Sequence, residues 1–268
     1  MEIWGGIEPL ERNVSTPGLD IWVLSEPFHG EEQGGDVYYV TLCGGGVTTR
    51  IVLADVSGHG SAVAEFSKSL RNILRKNINQ KKQRAVVHGI NQQFSEMAQF
   101  RRFATAIIAT YLTSTDTLSI CNAGHPRPLI YRASLSQWSF LPDELGESTG
   151  NLPLGLDEDT AYTNFEVKLV PGDLILFYTD AMIEAADPSG QLLGEQGLLT
   201  LATNLQPALK PSSMGRALIQ SVARYRQNQP PDDDLTVIAI HHTAAPTPRM
   251  SVAQKLDVYA KVFGLKRI

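Results

Sequence analysis

Four short segments, far apart in the chain, each set an aspartate where an apolar, strand-like run meets a turn. They are Gly34-Gly35-Asp36, Ala54-Asp55-Val56-Ser57-Gly58-His59-Gly60, Tyr178-Thr179-Asp180 and Asp232-Asp233-Asp234-Leu235-Thr236. A single carboxylate at a strand end is an ordinary turn or cap residue. Several gathered at one sheet edge repel each other unless cations lie between them, because a carboxylate is costly to take out of water. Carboxylate oxygens suit the hard ions magnesium and manganese better than zinc. Four segments of matching local context therefore point to a metal-dependent enzyme.

Asp55 follows Ile51-Val52-Leu53-Ala54, a run long enough to cross a core, and precedes a glycine-rich turn. Glycines there let the backbone turn tightly and approach a ligand. A carboxylate at Asp55 can bridge two ions, and the adjacent Val56 carbonyl can add another oxygen. Asp36 follows two glycines, Asp180 closes the run Leu174–Tyr178, and Asp233 precedes the run Leu235–Ile240. Two of these aspartates end strands and two begin them, which antiparallel neighbours can bring to one edge. Two divalent ions can acidify a bridging water and hold it in line with a leaving group, which suits phosphate ester hydrolysis. His59 admits two readings, a proton donor to the leaving oxygen or a structural histidine in a Gly-rich turn. His125 reads as structural, and no arginine can be nominated as a phosphate clamp.

The elements that must position these residues follow from hydrophobic period. Strand-like runs lie at Ile21–Ser25, Val37–Leu42 and Arg50–Ala54, after a mixed stretch of 20 residues read as an arm or short edge element. Gly44-Gly45-Gly46 lacks the trailing Gly-Lys-Ser/Thr of a phosphate-binding loop and reads as a hairpin turn. From Ser61 to Ile78, Val63, Phe66, Leu70, Ile73, Leu74 and Asn77 form a helical stripe; Val87, Ile90, Phe94 and Met97 mark a second helix over 84–100. Strands return at 103–113, 117–122, 127–132, 137–141, 165–169 and 173–178, then helices at 195–204 and 212–227 and a last strand at 235–241. The segment 142–151 reads as a surface loop, and 244–249 as a linker to a terminal helix over 251–263. Strands, two helices, strands, two helices, strand: such blocks favour two antiparallel sheets with helices outside them over a parallel sheet. One domain over 21–243 with a short C-terminal appendage is the expected organisation.

A formal charge of −5 with no basic stripe gives nucleic acid no footing, and no apolar run is long enough to span a bilayer. No signal peptide is evident, so a cytoplasmic protein is expected. Cys43 and Cys121 lie in strand-like stretches without metal-ligand spacing and read as buried thiols. His241 and His242, ending the last strand, are expected to face water.

Taken together, GGDVYYV, LADVSGHGSAVAEFS, FATAIIATY, SICNAGHPRPLIY, GDLILFYTDAMIEA and DDDLTVIAI resemble, in order, the SpoIIE-type branch of the metal-dependent type 2C serine/threonine protein phosphatases. The likeness spans about residues 20–242. It implies a four-layered α/β/β/α sandwich (an α+β fold) and two manganese or magnesium ions. Asp36, Asp55, Asp180 and Asp233 would be ligands, Gly35 and Val56 would contribute backbone, and Asp234 would hold a water or brace the ligands from behind. The implied substrate is a phosphorylated regulatory protein, such as an anti-sigma factor antagonist. One departure is Asp180-Ala181, where the family commonly has Asp-Gly. The rival reading keeps the fold as a docking or sensing module with little turnover. The helix after Asp55 is a route by which an activator could act, and the terminal helix could pack on its own domain, form a homodimer or dock an activator.

Overall fold

The computed structural model describes residues 2–43, 46–58, 61–78, 80, 82–98, 102–142, 151–207 and 210–243. The expected linker and terminal helix, and His59, lie outside them, as do residues 143–150 of the expected loop. In chain order the strands are β1 (Glu2–Gly6), β2 (Leu10–Thr16), β3 (Leu19–Glu26), β4 (Asp36–Cys43), β5 (Thr48–Val56), β6 (Ala104–Leu112), β7 (Thr117–Ala123), β8 (Leu129–Arg132), β9 (Gln137–Phe140), β10 (Phe165–Lys168), β11 (Leu174–Tyr178) and β12 (Leu235–His242). Helices α1 (Ser61–Asn77) and α2 (Gln83–Ala98) fall between β5 and β6; α3 (Gly194–Thr203) and α4 (Pro211–Tyr225) fall between β11 and β12.

Two six-stranded sheets result, ordered β1-β4-β5-β6-β7-β10 and β2-β3-β12-β11-β8-β9. Every ladder between the named strands is antiparallel. Side chains alternate across each strand, so one strand feeds two cores. In β4, Tyr38 and Val40 point between the sheets with Leu53, Ile107, Ile175, Phe177 and Ile238. Val37 and Tyr39 point the other way, against Val63, Leu70 and Leu74 of α1 and Phe94 of α2. On the second sheet, Trp22, Leu176 and Val237 meet Leu198 of α3 and Met214, Leu218 and Val222 of α4. Three cores between four layers make the α/β/β/α sandwich. Strands buried on both faces explain why β5 and β12 read as continuous apolar runs rather than alternating ones.

Of the two readings of the first residues, arm or edge element, the structure shows the edge element. β1 pairs with β4 and β2 with β3, so residues 2–16 form one edge of each sheet. His242 corrects an expectation: it is 2 % exposed, with Nε2 shared between Tyr111 Oη at 3.0 Å and Asp116 Oδ1 at 3.2 Å. His241 is half-buried, so neither imidazole ends its strand in water. Cys121 is buried and Cys43 only partly so; both thiols are free. Among the described residues no helix is long and apolar enough to cross a membrane.

Leu53 is fully buried between the sheets. Leu53→Ala should cost about 2–5 kcal/mol in a urea titration, the range for large cavities in packed cores. A loss well under 1 kcal/mol would mean that the sheets do not pack through this position.

Candidate metal centre

Sheet register brings the first two aspartates together. Asp36, the first residue of β4, lies directly opposite Asp55 near the end of β5, and Asp55 faces Thr105 of β6 on its other side. The second sheet supplies the rest. β11 ends at Tyr178 and Asp180 opens a single 3-10 turn, Asp180–Met182. Asp233 and Asp234 immediately precede β12, the neighbour of β11. All five carboxylates therefore meet at one end of the sandwich, from both sheets.

The glycines before Asp36 are required by close approach. A Cβ on Gly34 would sit 2.7 Å from Asp234 Oδ1; one on Gly35 would lie 3.2 Å from Asp234 Oδ2 and 3.3 Å from the Val56 carbonyl oxygen. Asp234 fills that space because it clasps two backbone amides: Oδ2 accepts from Gly35 N–H, and Oδ1 accepts from Phe28 N–H at 2.6 Å. The Gly35 carbonyl in turn accepts from Ser67 Oγ of α1 at 2.9 Å and from Val56 N–H at 3.4 Å. Asp234 is thus a brace, and the Val56 carbonyl is held beside the glycine that Asp234 grips. Thr179 Oγ1 lies 3.1 Å from Asp36 Oδ2 and accepts from Thr236 N–H at 2.9 Å, tying the first sheet's carboxylate to the β11–β12 pair of the second sheet.

Charge at this edge is incompletely balanced by the described side chains. Asp36 is 2 % exposed, and its Oδ1 is buried with no hydrogen-bond partner. Burial, then Asp55 and Asp234, push its carboxyl well above the ordinary range. Burial, then Asp180, Asp233, Asp234 and Glu184, raise Asp55 to about 8. Asp180 rises to about 6 through burial, Glu184 and Asp233. Among the described residues no three such side chains already close on one point. The cluster is a set of neighbouring negative charges rather than a finished cage. An orphaned, buried carboxylate oxygen amid all-oxygen donors nevertheless fits a hard divalent ion.

The structure also gives places to four more residues near this edge, of which the sequence reading had not singled out Glu184 and Arg102. Glu184, one helical turn past Asp180 with its N–H on the Asp180 carbonyl at 2.8 Å, is exposed yet acts electrostatically on Asp55 and Asp180. Arg102 donates from Nη1 to the Ser57 carbonyl, against Gly58, whose φ of +100° and lack of a side chain admit the guanidinium. His125 is buried and neutral: its pKa falls to about 3, chiefly through burial, and Nδ1 lies 2.8 Å from Thr105 Oγ1. Ala181 needs no glycine, because it is absent from the positive-φ backbone positions.

Residues 45–243 match the sequence profile of Stage II sporulation protein E (SpoIIE). Protein IcfG of Synechocystis sp. (strain ATCC 27184 / PCC 6803 / Kazusa) is 24% identical over 258 residues; the match takes in 85% of this chain and 39% of IcfG. The chain therefore spans well under half the length of that relative. The RsbU and RsbW domains of Rv1364c from Mycobacterium tuberculosis superpose with a TM-score of 0.71 at 23% identity, over 95% of this chain and 72% of that one. RsbX in complex with magnesium superposes with a TM-score of 0.62 at 16% identity, over 87% of this chain and 100% of that one. At these identities the superpositions speak for the fold.

Two outcomes follow from the site's geometry. Gly34→Ala should displace Asp234 and weaken manganese affinity roughly 10–100-fold, the usual cost of disturbing a brace behind metal ligands; calorimetric titration with unchanged affinity would refute the brace. A carboxyl whose folded pKa is raised binds more protons folded than unfolded, so ion-free stability falls as pH rises through about 6 and about 8. Thermal melts of the ion-free protein should therefore lose more between pH 6 and pH 8 in the native chain than in Asp55→Asn. Manganese should raise the native midpoint more at the higher pH. Parallel profiles for the two proteins would contradict the crowding of charge.

The profile match covers most of the chain, and with the two stacked sheets and the shared carboxylate edge it establishes that this protein belongs to the SpoIIE family of type 2C-like serine/threonine phosphatase domains.

Proposed function

We propose that this chain hydrolyses phosphoserine or phosphothreonine monoesters on a regulatory protein, using two magnesium or manganese ions. One observation carries the reading: carboxylates from both sheets converge on Asp55, whose burial, together with those neighbours, raises its pKa to about 8. Asp36, Asp55, Asp180, Asp233 and the Val56 carbonyl would hold the ions, with Asp234 and Gly35 fixing the frame behind them. When bound, such ions supply charge neutralisation at the phosphoryl oxygens and acidification of water. The magnesium found with RsbX supports this choice of ion.

Hydrolysis adds water across the ester: the phosphorus–oxygen bond to the side chain breaks, and the freed serine or threonine oxygen takes a proton. His59 is the candidate donor of that proton, four residues after Asp55 in the sequence. Ser67 and Thr179 hold Gly35 and Asp36 in register, so the chain's own contribution is mainly orientation. A phosphorylated regulatory partner such as an anti-sigma factor antagonist is the substrate that the family membership favours. The described site lacks a feature specific to a silent docking module, since Ala181 meets no backbone demand for glycine.

The test is hydrolysis of an aryl phosphate with and without manganese by the native chain and by Asp55→Asn. Manganese-dependent turnover, reduced at least about 10³-fold in the variant, is expected. A native chain that binds manganese but turns nothing over would make it a resting enzyme awaiting a partner. A chain that neither binds manganese nor turns over would sink the reading in favour of a docking module.

A further inference from the structure

The Val56 carbonyl is the one backbone oxygen among the candidate ligands, and its aim depends on how the next peptide units are held. A trans peptide sets its C=O and N–H on opposite sides of one rigid plane. Ser57 N–H shares the plane of the Val56 carbonyl and donates to the Phe103 carbonyl at 3.0 Å, just before β6. Phe103 N–H returns to Ser57 Oγ at 3.3 Å. The following plane carries the Ser57 carbonyl, which accepts from Arg102 Nη1. Residues 102 and 103 thus grip both planes of the turn that leaves β5.

That grip is itself anchored. Ala104 and Leu154 exchange N–H···O=C bonds of 2.9 and 2.8 Å, which fix the chain at the start of β6. The half-buried Arg102 reaches over the Phe66 ring of α1, with Cζ 5.9 Å from the ring centroid. Among the described residues no carboxylate pairs with Arg102, so its polar contact is with a backbone carbonyl and not with a charge.

Charge and geometry make opposite demands here. A cation next to a cation site is unfavourable, so on charge alone removing Arg102 would tighten the hold on a divalent ion. A ligand oxygen, however, must stay within roughly 0.5 Å and 10–20° of its productive place. A guanidinium that rests on an aromatic ring keeps a planar, pre-organised fork on the carbonyl it holds.

We propose that Arg102 is a positioning residue for the candidate metal centre: through the Ser57 carbonyl it sets the direction of the Val56 carbonyl. Its action is through the turn, not by contact with the ions or the ester. This deepens the proposed function and rests on its metal centre, whichever phosphate ester is hydrolysed.

The experiment is calorimetric titration of the full ion-free chain with manganese, comparing the native protein with Arg102→Ala and Arg102→Lys. Arg102→Ala should weaken the affinity roughly tenfold, within the range usual for groups that orient metal ligands. Arg102→Lys retains a donor on a long stem and should lose less. Methylguanidinium should restore part of the affinity of Arg102→Ala and leave that of the native chain unchanged, which separates a missing contact from a disturbed fold. An affinity unchanged or raised in Arg102→Ala would overturn the proposal, a rise being the result that charge alone demands. Equal losses in both variants that methylguanidinium leaves untouched would overturn it too. A native chain that binds no manganese would remove the metal centre, and the proposal with it. Because affinity is read without turnover, failure of the phosphatase reading and failure of this proposal are separate results.

Discussion

Mutual repulsion among buried carboxylates is the constraint on which this molecule turns. Asp36 and Asp55 face each other across a ladder, and Asp180, Asp233 and Glu184 add charge from the other sheet. Such an arrangement opposes folding unless protons or cations occupy it. The three hydrophobic cores supply the stability that lets the edge remain so unfavourable. Function in this fold therefore consists of strain held at one end by packing everywhere else, a distribution seen wherever a site must capture an ion.

Of the acidic residues at that end, Asp234 differs in kind. Its two oxygens are spent on the amides of Phe28 and Gly35, so it shapes the chain that delivers Asp36. Ser67 completes the grip from α1. The first turns of α1, the glycine pair and the brace form one unit: a movement of the helix that carries Ser67 is transmitted to the carbonyl of Gly35, next to Asp36. The contact that ties the two sheets at this end, Thr179 to Asp36, is polar, in contrast to the aliphatic seam below it; Ser25 to Thr236 joins neighbouring strands of the second sheet alongside.

Much of this was legible in the sequence, for a physical reason. Aspartate is poor in strands, so its recurrence at strand ends carries information, and glycine pairs mark places where a backbone must come close to something. Periodicity located α1, α2, α3, α4 and the central strands. Thr179 escaped notice because a threonine in a β run is unremarkable, and its partner Asp36 lies 143 residues away, brought near only by sheet stacking. His242 escaped for the same reason, its burial depending on Tyr111 and Asp116 across the interior. Glu184 sits in a turn without period, where nothing local distinguishes a site residue from a solvated one. β2 was hidden by its own composition: an edge strand with several exposed polar positions does not alternate clearly.

That edge strand has a consequence of its own. β3 and β4 are long, nearly fully buried strands, and without β1 and β2 each would present a row of open amides and carbonyls. Such rows template pairing with other chains. The opening residues therefore act as a selvedge on both sheets at once, with the charged residues Glu11 and Arg12 exposed along the second sheet's outer strand. A polypeptide trimmed to the conspicuous motifs would keep every one of the clustered aspartates and lose its protection against association through its margins.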